Sequence, residues 1–141
     1  KRGSIMSKYI VKTGLEEMDF QAVLDLLHQA HWTKGRSDDV IKKSMENSIC
    51  FGVFDTETGK QVGFSRVFTD YTTAYYLCDV IIHRDLRKQG LGSMMIHAII
   101  TDPRFGHLRG VLCTTYASGF YRHHGFGVGE ALFMERPREH Y

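Results

Sequence analysis

An apolar, β-branched run at residues 77–82 passes to a helix-patterned stretch at 93–100 through Arg87-Lys88-Gln89-Gly90-Leu91-Gly92. A strand that turns into a helix through a short basic glycine loop points to a layered α/β chain, because the helix must lie back on the sheet. The same turn makes an anion site. Gly90 and Gly92 have no side chain to fence off the backbone, and the first N–H groups of a helix lack intrahelical acceptors, so several donors can converge on one phosphate. Arg84, Arg87 and Lys88 add positive charge beside them. The spacing is neither that of a nucleotide P-loop nor that of the three-glycine dinucleotide fingerprint.

The rest of the chain supplies the layers. Residues 9–12 read as a strand, and Phe20, Val23, Leu24 and Leu27 recur at helical spacing behind Asp19, a capping residue. A polar break at 33–36 precedes a second helix that Ser37 can cap, with Asp38 and Asp39 at its positive end and Val40, Ile41 and Met45 on its apolar side. Residues 49–54, 61–69 and 74–82 read as three strands joined by short turn-forming links, hence an antiparallel meander. The third is apolar on both faces except for Asp79, as expected at the centre of a sheet covered on each side. After the glycine loop, Leu91, Met95, Ala98 and Ile99 form a helical stripe that stops near Asp102-Pro103; 109–114 is strand-like, Phe120-Tyr121 lies in a short helix, and 131–134 reads as a last strand. The order β-α-α-β-β-β-α-β-α-β predicts a three-layer α/β fold with a mixed, mostly antiparallel sheet flanked by helices. A single domain is expected over residues 6–141, with 1–5 an expression remnant ahead of Met6.

Of 141 residues, 43% are hydrophobic and 12% aromatic, enough for one core, and the net charge of +2 is too small to argue for a nucleic-acid partner. No stretch reaches the roughly 20 apolar residues that span a bilayer, so no membrane partner is expected. Cys50, Cys78 and Cys113 lack the paired spacing of a zinc site or a disulfide framework, and buried free thiols in a reducing cytoplasm are expected. His123 and His124 point about 100° apart on a helix and have no spaced carboxylate partner, so they are expected at the surface and no metal is expected.

Arg-x-x-Gly-x-Gly between a strand and a helix resembles the pyrophosphate loop of the GCN5-related N-acetyltransferase (GNAT) superfamily. Farther on, Ala117-Ser118-Gly119-Phe120-Tyr121-Arg122-His123-His124-Gly125-Phe126 resembles that family's second signature, an Ala-x-x-apolar-Tyr-x-x-x-Gly-Phe helix and turn. The resemblance runs from about Tyr9 to Met134. It implies the acyl-CoA N-acyltransferase fold, acetyl-CoA as co-substrate, and direct transfer of acetyl to an amine in a ternary complex. The main-chain groups of Arg87, Lys88, Gln89, Gly90, Leu91 and Gly92, with the Ser93 hydroxyl, would hold the pyrophosphate. Val80, Ile81 and Ile82 fall where the family's central strand splays at a bulge, accepts the pantetheine arm and offers N–H groups to the thioester oxygen. Thr114 stands where many members place an arm-contacting asparagine, and Arg84 replaces the usual proline before the loop.

Two residues carry the proposed chemistry. Tyr121 is the expected general acid for the departing thiolate, since a phenol with pKa about 10 stays protonated at neutral pH. Asp79 stands where many members carry glutamate; in so apolar a strand it should have a raised pKa and could deprotonate the incoming ammonium. It could instead act through water or pair with Arg66, and His83 at the strand end is an alternative base. Acceptor contacts are expected from loop aromatics, namely Trp32, Tyr71 and Tyr75. A small-molecule amine is the expected acceptor. Protein lysine or N-terminal acetylation, and a non-catalytic acyl-CoA sensor, remain as alternatives. Oligomeric state is not legible, although dimers are common in the family and 131–134 would offer an edge for a homodimer.

Overall fold

The computed structural model describes residues 8–141; the expected remnant at 1–5 lies outside them. Five strands form one sheet in the order β1-β2-β3-β4-β5: β1 (Tyr9–Thr13), β2 (Ile49–Asp55), β3 (Gln61–Thr69), β4 (Ala74–Ile82) and β5 (Arg109–Val111). β2, β3 and β4 form the antiparallel meander that their short links require, β1 pairs antiparallel with β2 across a long helical connection, and β4 and β5 run parallel through the crossover helix. Four helices flank the sheet: α1 (Phe20–Leu27), α2 (Asp38–Glu46), α3 (Leu91–Ile100) and α4 (Ser118–His123).

The capping residues read from the sequence do their work. Asp19 Oδ1 accepts from the Ala22 N–H at 3.2 Å, and Ser37 Oγ from the Val40 N–H at 3.2 Å, each satisfying a donor that the first helical turn leaves open. Behind the caps, α1 buries Val23, Leu24, Leu26 and Leu27, and α2 buries Ile41 and Met45. These join Cys50, Phe64 and Ile81 in an apolar layer on one face of the sheet. On the other face α3 buries Leu91, Met95, Ile96 and Ile99 against Phe51, Val53, Val67, Leu77 and Phe105. Each such side chain contributes about 1.5–3 kcal/mol by leaving water. The two layers clamp the middle of the sheet, and with it β4.

Two expected strands differ. The one expected over 109–114 ends at Val111, and 131–134 forms no strand; Leu132, Phe133 and Met134 are exposed, each by at least 71%. A strand exists only by pairing, and β5 is three residues long, too short an edge to template another. Cys113, expected to be buried, is exposed for the same reason, because it lies past the end of β5; Cys50 is buried and Cys78 half-buried, and all three are free thiols.

Candidate active site

Where β4 leaves β5, the sheet opens. The two pair only from Ala74 with Arg109 to Tyr76 with Val111, while β4 continues to Ile82. On its other side β4 is bulged: Phe64 pairs with Ile81 and Arg66 with Cys78, so Ser65 alone faces both Asp79 and Val80. Asp79 takes up the extra residue with φ of 56°, a left-handed conformation that Asp tolerates better than most side chains. The bulge reverses the strand's parity. Before it, Tyr75 and Leu77 face the α3 layer; after it, Val80 and Ile82 do, and Ile81 joins the α1 layer.

This shift sets the direction of the main-chain groups. The His83 N–H donates to the Val62 carbonyl at 2.8 Å, so by alternation the amides of Val80 and Ile82 turn away from β3 toward the opening. The Ile82 carbonyl does point that way, since Arg87 Nε donates to it at 3.0 Å. Arg87 thus ties the glycine loop to its own strand.

The loop is an anion cradle in form. Lys88 and Gly90 have φ of 65° and 86° on either side of Gln89, an alternation of handedness that turns successive N–H groups to one side. Gly90 is the N-cap of α3 and no side chain caps the helix. No main-chain hydrogen bond among the described residues is donated by Gln89, Gly90, Leu91, Gly92 or Ser93. Gly92 serves a second purpose: a Cβ there would lie 3.3 Å from Phe120 Cζ, so its absence lets α4 pack against the loop. His124 Nε2 lies 3.0 Å from Ser93 Oγ. His124 is therefore half-buried and part of the cradle's support, not a surface histidine, and burial followed by the charges of His123 and His97 holds its pKa below the usual value.

Tyr121, on α4, packs edge-on against Phe120 and Phe126 with ring centroids 5.0 and 6.0 Å away. Burial pushes its phenol up to about 12. Like Val80, Ile82 and Leu86, it packs on the apolar cluster of the α3 face, and its neighbour Phe120 meets the loop at Gly92, which also approaches Ile82. The Thr114 hydroxyl accepts from the Ala117 N–H at 3.0 Å and so shapes the turn into α4.

Asp79 departs from expectation. Its side chain is 1% exposed, and Oδ2 accepts from Arg66 Nε at 2.7 Å and from Arg36 Nη1 at 2.8 Å, while Oδ1 accepts from Trp32 Nε1 at 3.3 Å. Desolvation alone would raise its pKa. The Arg36 hydrogen bond and the charges of Arg66 and Arg36 outweigh it and hold the carboxyl below its ordinary value. The expected pairing with Arg66 is present, whereas the raised pKa is not, and a carboxylate so held is a poor proton acceptor. His83, the other candidate, accepts from the Asp85 N–H through Nδ1 at 3.1 Å.

Of the three acceptor aromatics, only Trp32 reaches the bulge. Tyr75 is 4% exposed, packed on Phe105 at 5.2 Å and over Gly110, where any side chain would collide with its hydroxyl. Tyr71 is exposed in the β3–β4 turn, at the end of β4 remote from the opening. Arg36 and Tyr116 were not foreseen. Tyr116 projects from the loop after β5 and faces the His31 ring at 6.5 Å, which in turn meets Trp32 at 5.4 Å. In the sequence, residues 33–36 read only as a polar break between two helices, and the fold shows that its arginine reaches Asp79.

Among the described residues no group of three or more His, Cys, Asp or Glu is placed to hold a metal, and no helix is long and apolar enough to cross a membrane.

Comparison with known proteins agrees with this geometry. The acetyltransferase (GNAT) domain family matches residues 46–128. A protein named as an uncharacterized N-acetyltransferase, ycf52, of Gracilaria tenuistipitata var. liui is 28% identical over 133 residues, covering 89% of this chain and 70% of its own. The crystal structure of a putative GNAT-family acetyltransferase from Xanthomonas campestris pv. campestris is 30% identical and superposes with a TM-score of 0.84, covering 92% of this chain and 93% of that one. An aminoglycoside acetyltransferase from an uncultured soil metagenomic sample shares the fold at a TM-score of 0.72 and 18% identity over 96% of this chain and 99% of its own. The chain belongs to the GNAT acetyltransferase family.

Proposed function

We propose that this protein moves the acetyl group of acetyl-CoA to a primary amine of a small metabolite, by direct attack while both substrates are bound. The observation that carries the reading is a convergence. Amides at Gln89, Gly90, Leu91, Gly92 and Ser93 with no main-chain acceptor among the described residues precede α3, β4 runs on unpaired by β5 over Val80, Ile81 and Ile82, and Tyr121 packs on the same face of the sheet.

The loop amides bind the pyrophosphate, and Arg87 and Lys88 add charge there. The Val80 and Ile82 amides face the pantetheine arm, and one of them donates to the thioester oxygen as negative charge develops on it. Tyr121 gives its proton to the departing sulfur; its elevated pKa keeps it protonated at any working pH. Asp79 fixes the bulge and the Trp32 and Arg36 side chains, and the amine loses its proton to water. The free thiols of Cys50, Cys78 and Cys113 support a reducing, cytoplasmic setting.

The test is release of free CoA thiol when purified protein is mixed with acetyl-CoA and a panel of amines. Turnover with at least one amine class, lost in Tyr121→Phe while CoA binding persists, supports the reading. A Tyr121→Phe protein with full turnover would remove the acid. Tight CoA binding with no turnover on any amine would favour an acyl-CoA sensor.

A further inference from the structure

The charge balance behind the bulge is uneven. Arg36 and Arg66 share a single oxygen of Asp79, and the other oxygen takes a neutral donor, Trp32. Two guanidiniums against one carboxylate leave one positive charge, held by side chains only 12% and 13% exposed. Arg66 spends its Nη1 on Ser48 Oγ at 3.2 Å, turned away from the 31–36 segment. Arg36 spends Nη1 on Asp79 and Nε on the Tyr141 hydroxyl, and its Nη2 has no partner among the described residues.

Arg36 lines a hollow of about 500 Å³, together with His28, Gln29, His31, Lys34 and Gly35. No Asp or Glu lines it. Lys34 makes no ion pair among the described residues; Asp38 approaches only His28, at 4.0 Å. Arg36 belongs both to the hollow and to the cluster at the bulge, so a ligand held there touches a side chain anchored on Asp79 of β4.

We propose that the acceptor amine also carries an anionic group, a carboxylate or a phosphate, and that Arg36 and Lys34 bind this group in the hollow. The inference rests on the transfer reading above and adds the class of acceptor. An anion meets a preformed, partly desolvated guanidinium and a nearby ammonium, where charge-assisted hydrogen bonds are strong. A polycationic amine would meet like charges with no carboxylate to receive it.

Matched acceptors test this in the thiol-release assay with the full chain. An amino acid is compared with its amide, an amino sugar phosphate with the free amino sugar, and a linear polyamine serves as the cationic arm. The anionic member of at least one pair should have kcat/KM higher than its neutral partner by about tenfold or more, as one charge-assisted contact provides. Which pair shows it distinguishes carboxylate from phosphate. Lys34→Glu, an exposed change that the fold tolerates, should reduce that ratio at least fivefold. Ratios near one in both pairs, or a polyamine as the better acceptor, would overturn the inference and leave the transfer reading standing. No thiol release with any amine, despite CoA binding, would overturn both.

Discussion

Asp79 shows how far single residues could be read from the chain. Its position in an apolar strand marked it as functional, and desolvation argued for a raised pKa. Pairing with Arg66, 13 residues away, was an alternative open in the sequence, but Arg36 comes from 43 residues away and no local pattern announces that contact. Asp79→Asn would leave two buried guanidiniums without a counterion, at a cost of about 3–5 kcal/mol, measurable as a lower denaturant midpoint. Were Asp79 instead the base, Asn would abolish turnover and leave stability nearly unchanged. Ser65 offers the opposite case. It faces the bulge, is fully buried, and its hydroxyl has no hydrogen-bond partner among the described residues. An unpaired buried hydroxyl costs about 1–3 kcal/mol, so Ser65→Ala should hold or raise Tm, and a drop of several degrees would mean that the hydroxyl is satisfied. Tyr121 belongs here too. Tyr121→Phe should lower kcat by about 100-fold or more, the range for loss of a general acid, with CoA affinity kept. Because its phenol is pushed up to about 12, the pH–rate profile of the parent should show no falling alkaline limb below pH about 10.

At the scale of elements, periodicity and capping gave the helices and the meander, since Asp19, Ser37 and the short links act through neighbours in sequence. The form of the glycine loop was equally legible, because its open backbone donors follow from where the glycines stand before the helix. The bulge was expected only from family resemblance, as nothing local to residues 77–82 requires it. The β5 end and the absent strand at 131–134 were misread because a strand depends on a partner that the sequence does not name. Gly90 carries the element's central prediction. Its φ of 86° lies in the region that penalises a side chain by about 1–2 kcal/mol, and a branched Cβ would also crowd the anion. Gly90→Val should weaken CoA binding by calorimetry at least about tenfold, the effect of losing one charge-assisted contact, while α3 keeps its buried face and the far-ultraviolet spectrum is unchanged. Equal CoA affinity in this variant would place the phosphate elsewhere.

For the whole molecule, the Asp79 cluster joins the 31–36 segment to the centre of the sheet and so couples stability to pH. The folded carboxyl lies below its ordinary value of about 3.9; its stabilisation is therefore present above that value and is lost as pH falls through the folded one. Acid unfolding should begin below pH about 4 and start higher in Arg36→Gln, which releases part of the hold. Unchanged acid unfolding would mean that the pair adds nothing. In the proposed function, one continuous path, from the cradle before α3 along the free edge of β4, receives the acyl donor. Backbone amide resonances recorded during titration with CoA test it directly. The largest shifts should fall on Gln89, Gly90, Leu91, Gly92 and Ser93 and on Val80 and Ile82, with β1 and β2 unmoved; saturation with those amides unmoved would contradict the account.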